Sequence, residues 1–356
     1  KPLGQLLKEW PEQYVKWILT KSERQAYLAL ASDEEKLEFI EFFWARRDPD
    51  PATPDPSTLE PVASETAVRS ADPSARTFRY ATIAMTVALG IAPFVGLYPV
   101  FLMKALCFAL FACAFNLLIG FGGLLSFGHA MFLGTAGYVS AHAAKTWGLP
   151  PEAAILLGAL ASTVLGGVAG ALAIRRQGIY FAMITLAIAQ MIFFFYLQAP
   201  FTGGEDGIQA VPRGRLFGVL DLSDTLAMYY FVLAIFLAGF LAIRRIIHSP
   251  FGQVLKAIRE NEPRAISLGY DADRYKLIAF VLSAALSGVA GATKAIVFQL
   301  ASLTDVHWTM SGEVVLMTLL GGMGTIFGPV VGAFVIIGLE NYLAGFGQWV
   351  TVITGA

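Results

Sequence analysis

Four ionisable side chains stand inside apolar runs of this sequence: Lys104, Lys294, Glu313 and Glu340. Charge at membrane depth is costly, so such residues pair with one another, line a wet path or snorkel to an interface. Lys104 lies close to one end of its run, where snorkelling accounts for it, and Glu313 lies near the end of a broken run, facing either a path or the aqueous boundary. The largest concentration of charge is elsewhere, in SPFGQVLKAIRENEPRAISLGYDADRYK from Ser249 to Lys276, an amphipathic basic stretch between two long apolar runs. Catalysis finds no footing. No phosphate-cradling glycine loop ends in Lys-Ser/Thr, and His129, His142, His248 and His307 lack metal-ligand spacing. The chemistry on offer is the binding and passage of a solute, with no catalytic residue, no metal and no cofactor, and with any ATP hydrolysis on another chain.

The elements that position these residues follow from composition. Hydrophobic residues are 56% and charged residues 14%, a balance that excludes a soluble domain for most of the chain. Residues 1–79 hold a large share of the charge. From 80 onward apolar runs of about 17–25 residues follow one another, the length that crosses a hydrocarbon core. The expected spans are 80–97, 99–119, 122–143, 152–174, 178–198, 226–247 and 276–299, then a broken pair at 312–320 and 328–344. The fold class is an all-α polytopic membrane protein, a helical bundle with glycine-broken helices preceded by a small helical cytoplasmic segment. A net charge of −1 gives no reason to expect nucleic acid. Cys107 and Cys113 sit on roughly opposite faces of one run, which disfavours a disulfide. No signal peptide precedes the first run, and the chain starts at Lys rather than Met, so we expect its native N-terminus upstream.

Basic residues set the orientation. Arg175 and Arg176 mark one inside loop, and Arg244, Arg245, Lys256, Arg259, Arg264, Arg274 and Lys276 mark another. The loop 199–225 carries Glu205, Asp206, Asp221 and Asp224 against Arg213 and Arg215, so it lies outside. Counting back puts Arg69, Arg76, Arg79 and the N-terminal segment in the cytoplasm.

Small residues recur at helical spacing, as Gly158, Ser162, Gly166 and Gly170 in one run and Ser283, Ser287 and Gly291 in another. Such stripes let backbones approach in lipid and predict close helix packing. Two stretches resist being ordinary spans. Gly120–Tyr138 is interrupted by glycines and places Ser126, His129 and Thr135 at membrane depth, and Leu319–Ala333 is broken by Gly321, Gly322, Gly324, Gly328 and Pro329. Backbone freed in this way is tolerated only where protein or a water-filled cavity satisfies it, and broken helices are what transport pathways are built from. We expect Ser126, His129, Thr135, Gly321, Gly322 and Gly324 to face one shared translocation cavity. Tight interhelical turns are the alternative.

With these elements in order, the chain from about 80 onward resembles the permease subunit of branched-chain amino-acid ABC importers, the LivH/LivM family. The resemblance rests on NLLIGFGGLLSFGHAMFLGTAGY at 116–138, GIYFAMITLAIAQ at 178–190, TGGEDGI at 202–208, SPFGQVLKAIRENEPRAISLG at 249–269 and LLGGMGTIFGPVVGA at 319–333. It implies a bacterial inner membrane, a second homologous permease, two cytoplasmic ATPase subunits and a periplasmic solute-binding protein as partners besides the lipid bilayer. It also implies that 249–269 is the loop through which the ATPases drive transport. A helix docking in a cleft of an ATPase needs an apolar stripe and a charged rim, and here Val254, Leu255 and Ile258 supply the stripe. Lys256, Arg259, Glu260, Glu262 and Arg264 form the rim, with Gly269 ending the helix. The Glu-Ala-Ala-Gly signature of many ABC importers is degenerate here: Ala265 keeps its distance to Gly269, but Glu262 is displaced by one and Pro263 takes the usual Glu place.

Residues 1–60 are similar to a GWxTD domain, through Trp17, Thr20, Glu23, Arg24, Phe43, Trp44, Arg47, Asp48 and Pro49, with Ser32 as an N-cap before Asp33, Glu34 and Glu35. Residues 61–79 read as a linker and 80–356 as the permease domain. After Tyr342 the sequence starts another span and stops, so a C-terminal truncation is expected. The rivals are an ion-coupled secondary transporter, which predicts a mid-span charge relay and an inverted repeat, and a membrane enzyme, which needs clustered His, Asp or Glu. The resemblance implies a branched-chain amino acid or a related small polar molecule as the solute.

Overall fold

The computed structural model describes residues 10, 21–30, 32–45, 73–96, 98–176, 178–218 and 220–343. They fall into two units that divide between Phe78 and Arg79.

In the first unit, helix α1 (Lys21–Leu28) and helix α2 (Asp33–Ala45) close a small aromatic core. Trp10 lies tilted against Tyr27 and edge-on to Phe43, at 5.0 and 5.2 Å between centroids. The start of α2 is a reciprocal capping box. The Glu35 N–H donates to Ser32 Oγ at 3.1 Å, and the Ser32 N–H donates to the Glu35 carboxylate at 3.2 Å. Of the GWxTD-like residues, Glu23 and Arg24 lie on α1 and Phe43 and Trp44 on α2, while Trp17, Thr20, Arg47, Asp48 and Pro49 lie outside the described residues. So does the sequence after Leu343, where the truncated span was expected.

The second unit is helical. It begins with α3 (Pro73–Ile91, its first residues belonging to the unit before) and α4 (Pro99–Asn116), which widens into a π turn over Leu117–Phe121. Then come α5 (Ala130–Lys145), α6 (Pro151–Ala173) and α7 (Ile179–Gln198). The next loop carries β1 (Ile208–Gln209), β2 (Arg215–Leu216) and β3 (Leu220–Asp221), and leads to α8 (Thr225–Ile247). Two short helices follow, α9 (Pro250–Glu260) and α10 (Glu262–Ser267), then α11 (Ala272–Phe298), β4 (Leu300–Ala301), α12 (Trp308–Gly321) and α13 (Gly328–Leu343). Five helices are long and apolar enough to cross a bilayer: Pro99–Phe121, α6, α7, α8 and α11. With the all-α architecture, this makes the chain a multi-pass membrane protein.

Side-chain caps fix where helices begin. Asp224, Ser249, Asn261 and Asp271 each accept from a backbone N–H in the first turn of α8, α9, α10 and α11. The Asp271 cap starts α11 at Ala272, one turn before the apolar run that forecast it. The expected span 122–143 is interrupted more deeply. Gly123 takes a φ of +70°, the chain runs without helix to Ser126, and α5 begins only at Ala130.

Packing in lipid explains the layering. On α6, Leu156, Leu160, Val164, Val168 and Leu172 form an exposed stripe at a spacing of four, while Gly158, Ser162, Gly166 and Gly170 are buried on the other face. That face meets α11. A Cβ on Gly166 would stand 2.5 Å from the Ala284 methyl, one on Gly288 would stand 2.5 Å from Ser162 Cβ, and Ser162 Oγ donates to the Ala284 carbonyl at 2.7 Å. Helices that approach this closely gain dispersion contacts along their whole length. The centre of the bundle is α4, packed by α8, α11, α12 and α13, with 89% of its apolar window inside protein against 28% for α7. Cys107 and Cys113 are free and buried on it. The end of the bundle that carries α9 and α10 is called the near end below. At the far end, β1 pairs with β4 in antiparallel register, Ile208 opposite Ala301.

Candidate functional site

The two glycine breaks meet at the near end, beside α9. Asn116, the last residue of α4, is 3% exposed and turns its amide onto the loop between α12 and α13. Its Nδ2 donates to the Thr325 carbonyl at 2.7 Å, and its Oδ1 accepts from the Gly324 N–H at 3.0 Å. The amide copies a peptide unit and pairs with the loop as a strand would. Gly324 has a φ of +77°, which the tight loop requires of it. The loop also closes on itself: Thr325 Oγ1 donates to the Gly322 carbonyl at 2.7 Å and accepts from the Gly328 N–H at 3.1 Å. Gly321 and Gly328 let the backbones of α12 and α13 touch, since a Cβ on Gly321 would fall 2.9 Å from the Pro329 nitrogen.

Helix α9 lies against the first break. Its Leu255 packs near Gly122, Lys256 Nζ stands 5.6 Å from the Phe121 ring centroid, and the stem of Arg259 runs over Gly123. The Arg259 guanidinium donates to the Gly120 carbonyl. Gly120 lies in the last part of the π turn, where helix carbonyls lack intrahelical partners, and π turns recur at functional sites. A cavity of about 530 Å³ opens there, lined by Phe121, Lys256, Arg259, Glu260 and Gly324. Thus one helix of the charged loop reaches both breaks, directly through Arg259 and indirectly through Asn116.

The predicted residues divide around this junction. Gly321, Gly322 and Gly324 belong to it, beside Arg259. Ser126, His129 and Thr135 lie deeper in the packing. Ser126 and His129 have no exposed surface, and Thr135 is buried. The His129 ring sits among Phe115, Phe132 and Phe280, each edge-on, and its Nε2 is 2.9 Å from Ser283 Oγ, which in turn donates to the Ala114 carbonyl.

The amphipathic stripe expected on the loop is turned inward. Leu255 and Ile258 are 0% and 2% exposed, and Ile258 packs with Ala265, Ala272, Val254 and Tyr275. A helix lying along the end of an apolar bundle buries its apolar face there first. What the helix pair shows outward is Ile266, Leu268 and Tyr270, beside Glu260 and Arg264. Gly269, with a φ of +92°, ends α10 and donates to the Ile266 carbonyl at 2.9 Å. Glu262 is not a rim residue in this arrangement. Its carboxylate accepts from Lys276 Nζ at 2.6 Å in a largely buried ion pair that ties α10 to α11.

Asn116 and the Lys276–Glu262 pair escaped sequence reasoning. A polar residue inside the most buried span was the available signal for Asn116. Among the described residues, no group of three or more His, Cys, Asp and Glu is placed to hold a metal ion.

Residues 99–356 match the family model of the permease component of branched-chain amino acid transport systems. The chain is similar to the high-affinity branched-chain amino acid transport system permease protein LivM of Salmonella typhimurium, 28% identical over 263 residues, covering 67% of this chain and 62% of that protein. It is 27% identical over 263 residues to the LivM protein of the same description from Escherichia coli, with the same coverage. Against the probable branched-chain amino acid transport permease protein LivM of Methanocaldococcus jannaschii it is 26% identical over 199 residues, 50% of this chain and 53% of the relative. The chain therefore spans less than two thirds of the length of these curated relatives. No solved structure matches it. A family match over this much of the chain, on a bundle with two glycine breaks joined at a charged loop, leads to one conclusion: the chain belongs to the family of permease components of branched-chain amino acid transport systems.

Proposed function

We propose that the chain is the transmembrane permease subunit of an ABC importer for branched-chain amino acids or a related small polar solute. Transport is driven by two separate ATPase subunits acting on the near end, so that end is cytoplasmic, as is the N-terminal segment, and the membrane is the bacterial inner membrane. A second homologous permease completes the pathway, a periplasmic solute-binding protein delivers the solute, and this chain itself is not an enzyme.

The observation that carries the reading is the junction of α9 with both glycine breaks. A push on α9 and α10 has a direct load path: through Arg259 to Gly120, and through Asn116 from the same break to the α12–α13 loop. Backbone interrupted at these positions can change shape at lower cost than an unbroken helix. The contact surface proposed for the ATPases is the outward face of the loop 249–269, Ile266, Leu268 and Tyr270 with Glu260 and Arg264, supported from behind by Val254, Leu255, Ile258 and Glu262. Ser126, His129, Thr135, Gly321, Gly322 and Gly324 are proposed to border the pathway.

The test is reconstitution of the full chain in vesicles with its partner permease, ATPases and binding protein, followed by uptake of labelled leucine. Uptake that requires ATP and all partners supports the reading. Uptake driven by an ion gradient without the ATPases would replace it with the secondary-transporter reading.

A further inference from the structure

At the far end, five ionisable side chains converge from α4, α11, α12, α13 and the turn before α12. Lys104 on α4 pairs with Glu340 on α13 at 3.1 Å, and Lys294 on α11 pairs with Asp305 in the turn. Both ammonium groups lie over the ring of Phe108, 5.9 and 5.5 Å from its centroid, so the two pairs are neighbours. Glu313 on α12 lies within electrostatic reach of all four charges. The cluster thus holds two cations and three carboxylates. Among the described residues, no ion pair or hydrogen bond takes up the Glu313 carboxylate.

The two pairs differ in access. The side chains of Lys294 and Asp305 are 16% and 12% exposed, those of Lys104 and Glu340 36% and 26%. The first pair is the better buried, and the second is partly open to solvent. Tyr138 is 2% exposed, its hydroxyl has no hydrogen-bond partner among the described residues, and it lies within electrostatic reach of Asp305. Its ring stacks on Tyr196 at 4.5 Å. A carboxylate without an ion pair, a partly exposed ammonium and an aromatic face therefore share one patch, with an unpartnered hydroxyl within electrostatic reach of it.

Buried charges persist when they are paired. A simple cation would satisfy Glu313 alone and leave Lys104 with Glu340. A molecule carrying an ammonium and a carboxylate satisfies Glu313 and gives Lys104 a second carboxylate to share.

We propose that this cluster is the site where the chain binds a zwitterionic solute, with Glu313 taking the α-ammonium group and Lys104 the α-carboxylate beside Phe108. The assignment deepens the importer reading and rests on it. Lys294 and Asp305 position the site and do not exchange.

The experiment uses the reconstituted complex with leucine and with 4-methylpentanoate, which is leucine without its amino group. Glu313→Gln is expected to raise the half-saturating leucine concentration at least tenfold and to abolish the preference for leucine over 4-methylpentanoate as a competitor. An unchanged concentration and preference overturns the assignment. The wild-type complex supplies a second measurement that needs no variant: leucine, and not 4-methylpentanoate, should slow carbodiimide modification of Glu313 read by mass spectrometry. Absence of that protection also overturns it. A wild-type complex that takes up only an uncharged amide overturns the zwitterion site and leaves the importer standing, and one that moves no solute on ATP overturns both.

Discussion

The guanidinium of Arg259 donates to the backbone carbonyl of Gly120 across 139 positions of sequence, and it joins a surface helix to the point where the most buried helix of the bundle breaks. The donor is charged and the acceptor is a helix-end carbonyl, the combination in which a single hydrogen bond carries most. Gly123 makes room for the arginine stem, since a Cβ there would fall 2.9 Å from Arg259 Cγ.

Arg259→Ala should therefore loosen coupling. A charge-assisted hydrogen bond contributes about 1.5–3 kcal/mol, so solute moved per ATP hydrolysed should fall roughly 10-fold to 100-fold. Arg259→Lys should recover part of it, because a point charge can still reach the carbonyl. Uptake and phosphate release in the same vesicles measure both. Equal ratios for wild type and Arg259→Ala would remove the load path through Gly120.

Asn116→Ala leaves the Gly324 N–H and the Thr325 carbonyl without their partner. Unsatisfied groups of this kind cost about 1–3 kcal/mol each at buried sites, and a lower midpoint of thermal unfolding in detergent is expected. Asn116→Asp is predicted to recover little, because it keeps the acceptor for Gly324 and loses the donor for Thr325.

On the loop, the outward and inward apolar residues should separate cleanly. Ile266→Asp with Leu268→Asp changes positions that are 55% and 70% exposed, so the fold should hold while pull-down of the ATPases is lost. Leu255→Asp instead buries an unpaired charge, several kcal/mol against the folded state, and should lower the yield of inserted protein. Retained ATPase pull-down in the double variant would move the contact surface elsewhere.

These last residues show how far the sequence could be read. The spacing of Val254, Leu255 and Ile258 reports an amphipathic helix and nothing about which body its apolar face meets, since the chain's own bundle and a partner impose the same period. The spans and both glycine breaks were legible because hydropathy and glycine act locally. The clasp of Asn116 on Gly324 and the pairing of Lys104 with Glu340 join residues 208 and 236 positions apart, and no local rule carries that information. His129 stood out as polar at membrane depth, and its actual environment, three aromatic edges and Ser283, came from three helices, α4, α5 and α11.

The Lys276–Glu262 pair offers a test of local energetics. The two side chains are 5% and 20% exposed, so Lys276→Met strands a carboxylate in the junction of α10 and α11. Breaking one partner of a buried pair costs about 3–5 kcal/mol, while replacing both is often near neutral. Lys276→Met should lower thermal stability clearly, and the further change Glu262→Gln should restore much of it.

The seam between α6 and α11 gives a matched pair of variants. Gly166→Leu must displace Ala284 and should cost about 1–3 kcal/mol or more through overpacking, whereas Val164→Leu, on the exposed stripe of the same helix, should leave stability unchanged. Detergent melting curves compare the two directly.

The hairpin of α12 and α13 is pinned to α4 twice, by Asn116 at the near end and by Lys104 at the far end. Twelve helical residues separate those anchors, about 18 Å at 1.5 Å per residue. Two fixed points define a line, and a rigid body held at both retains one freedom, a swing about that line. A swing about that line keeps both attachments closed and works against the Ala130 N–H bond to Ser311 Oγ, which ties α12 to α5 at 2.9 Å, whereas sliding or tilting requires one of the two anchors to break.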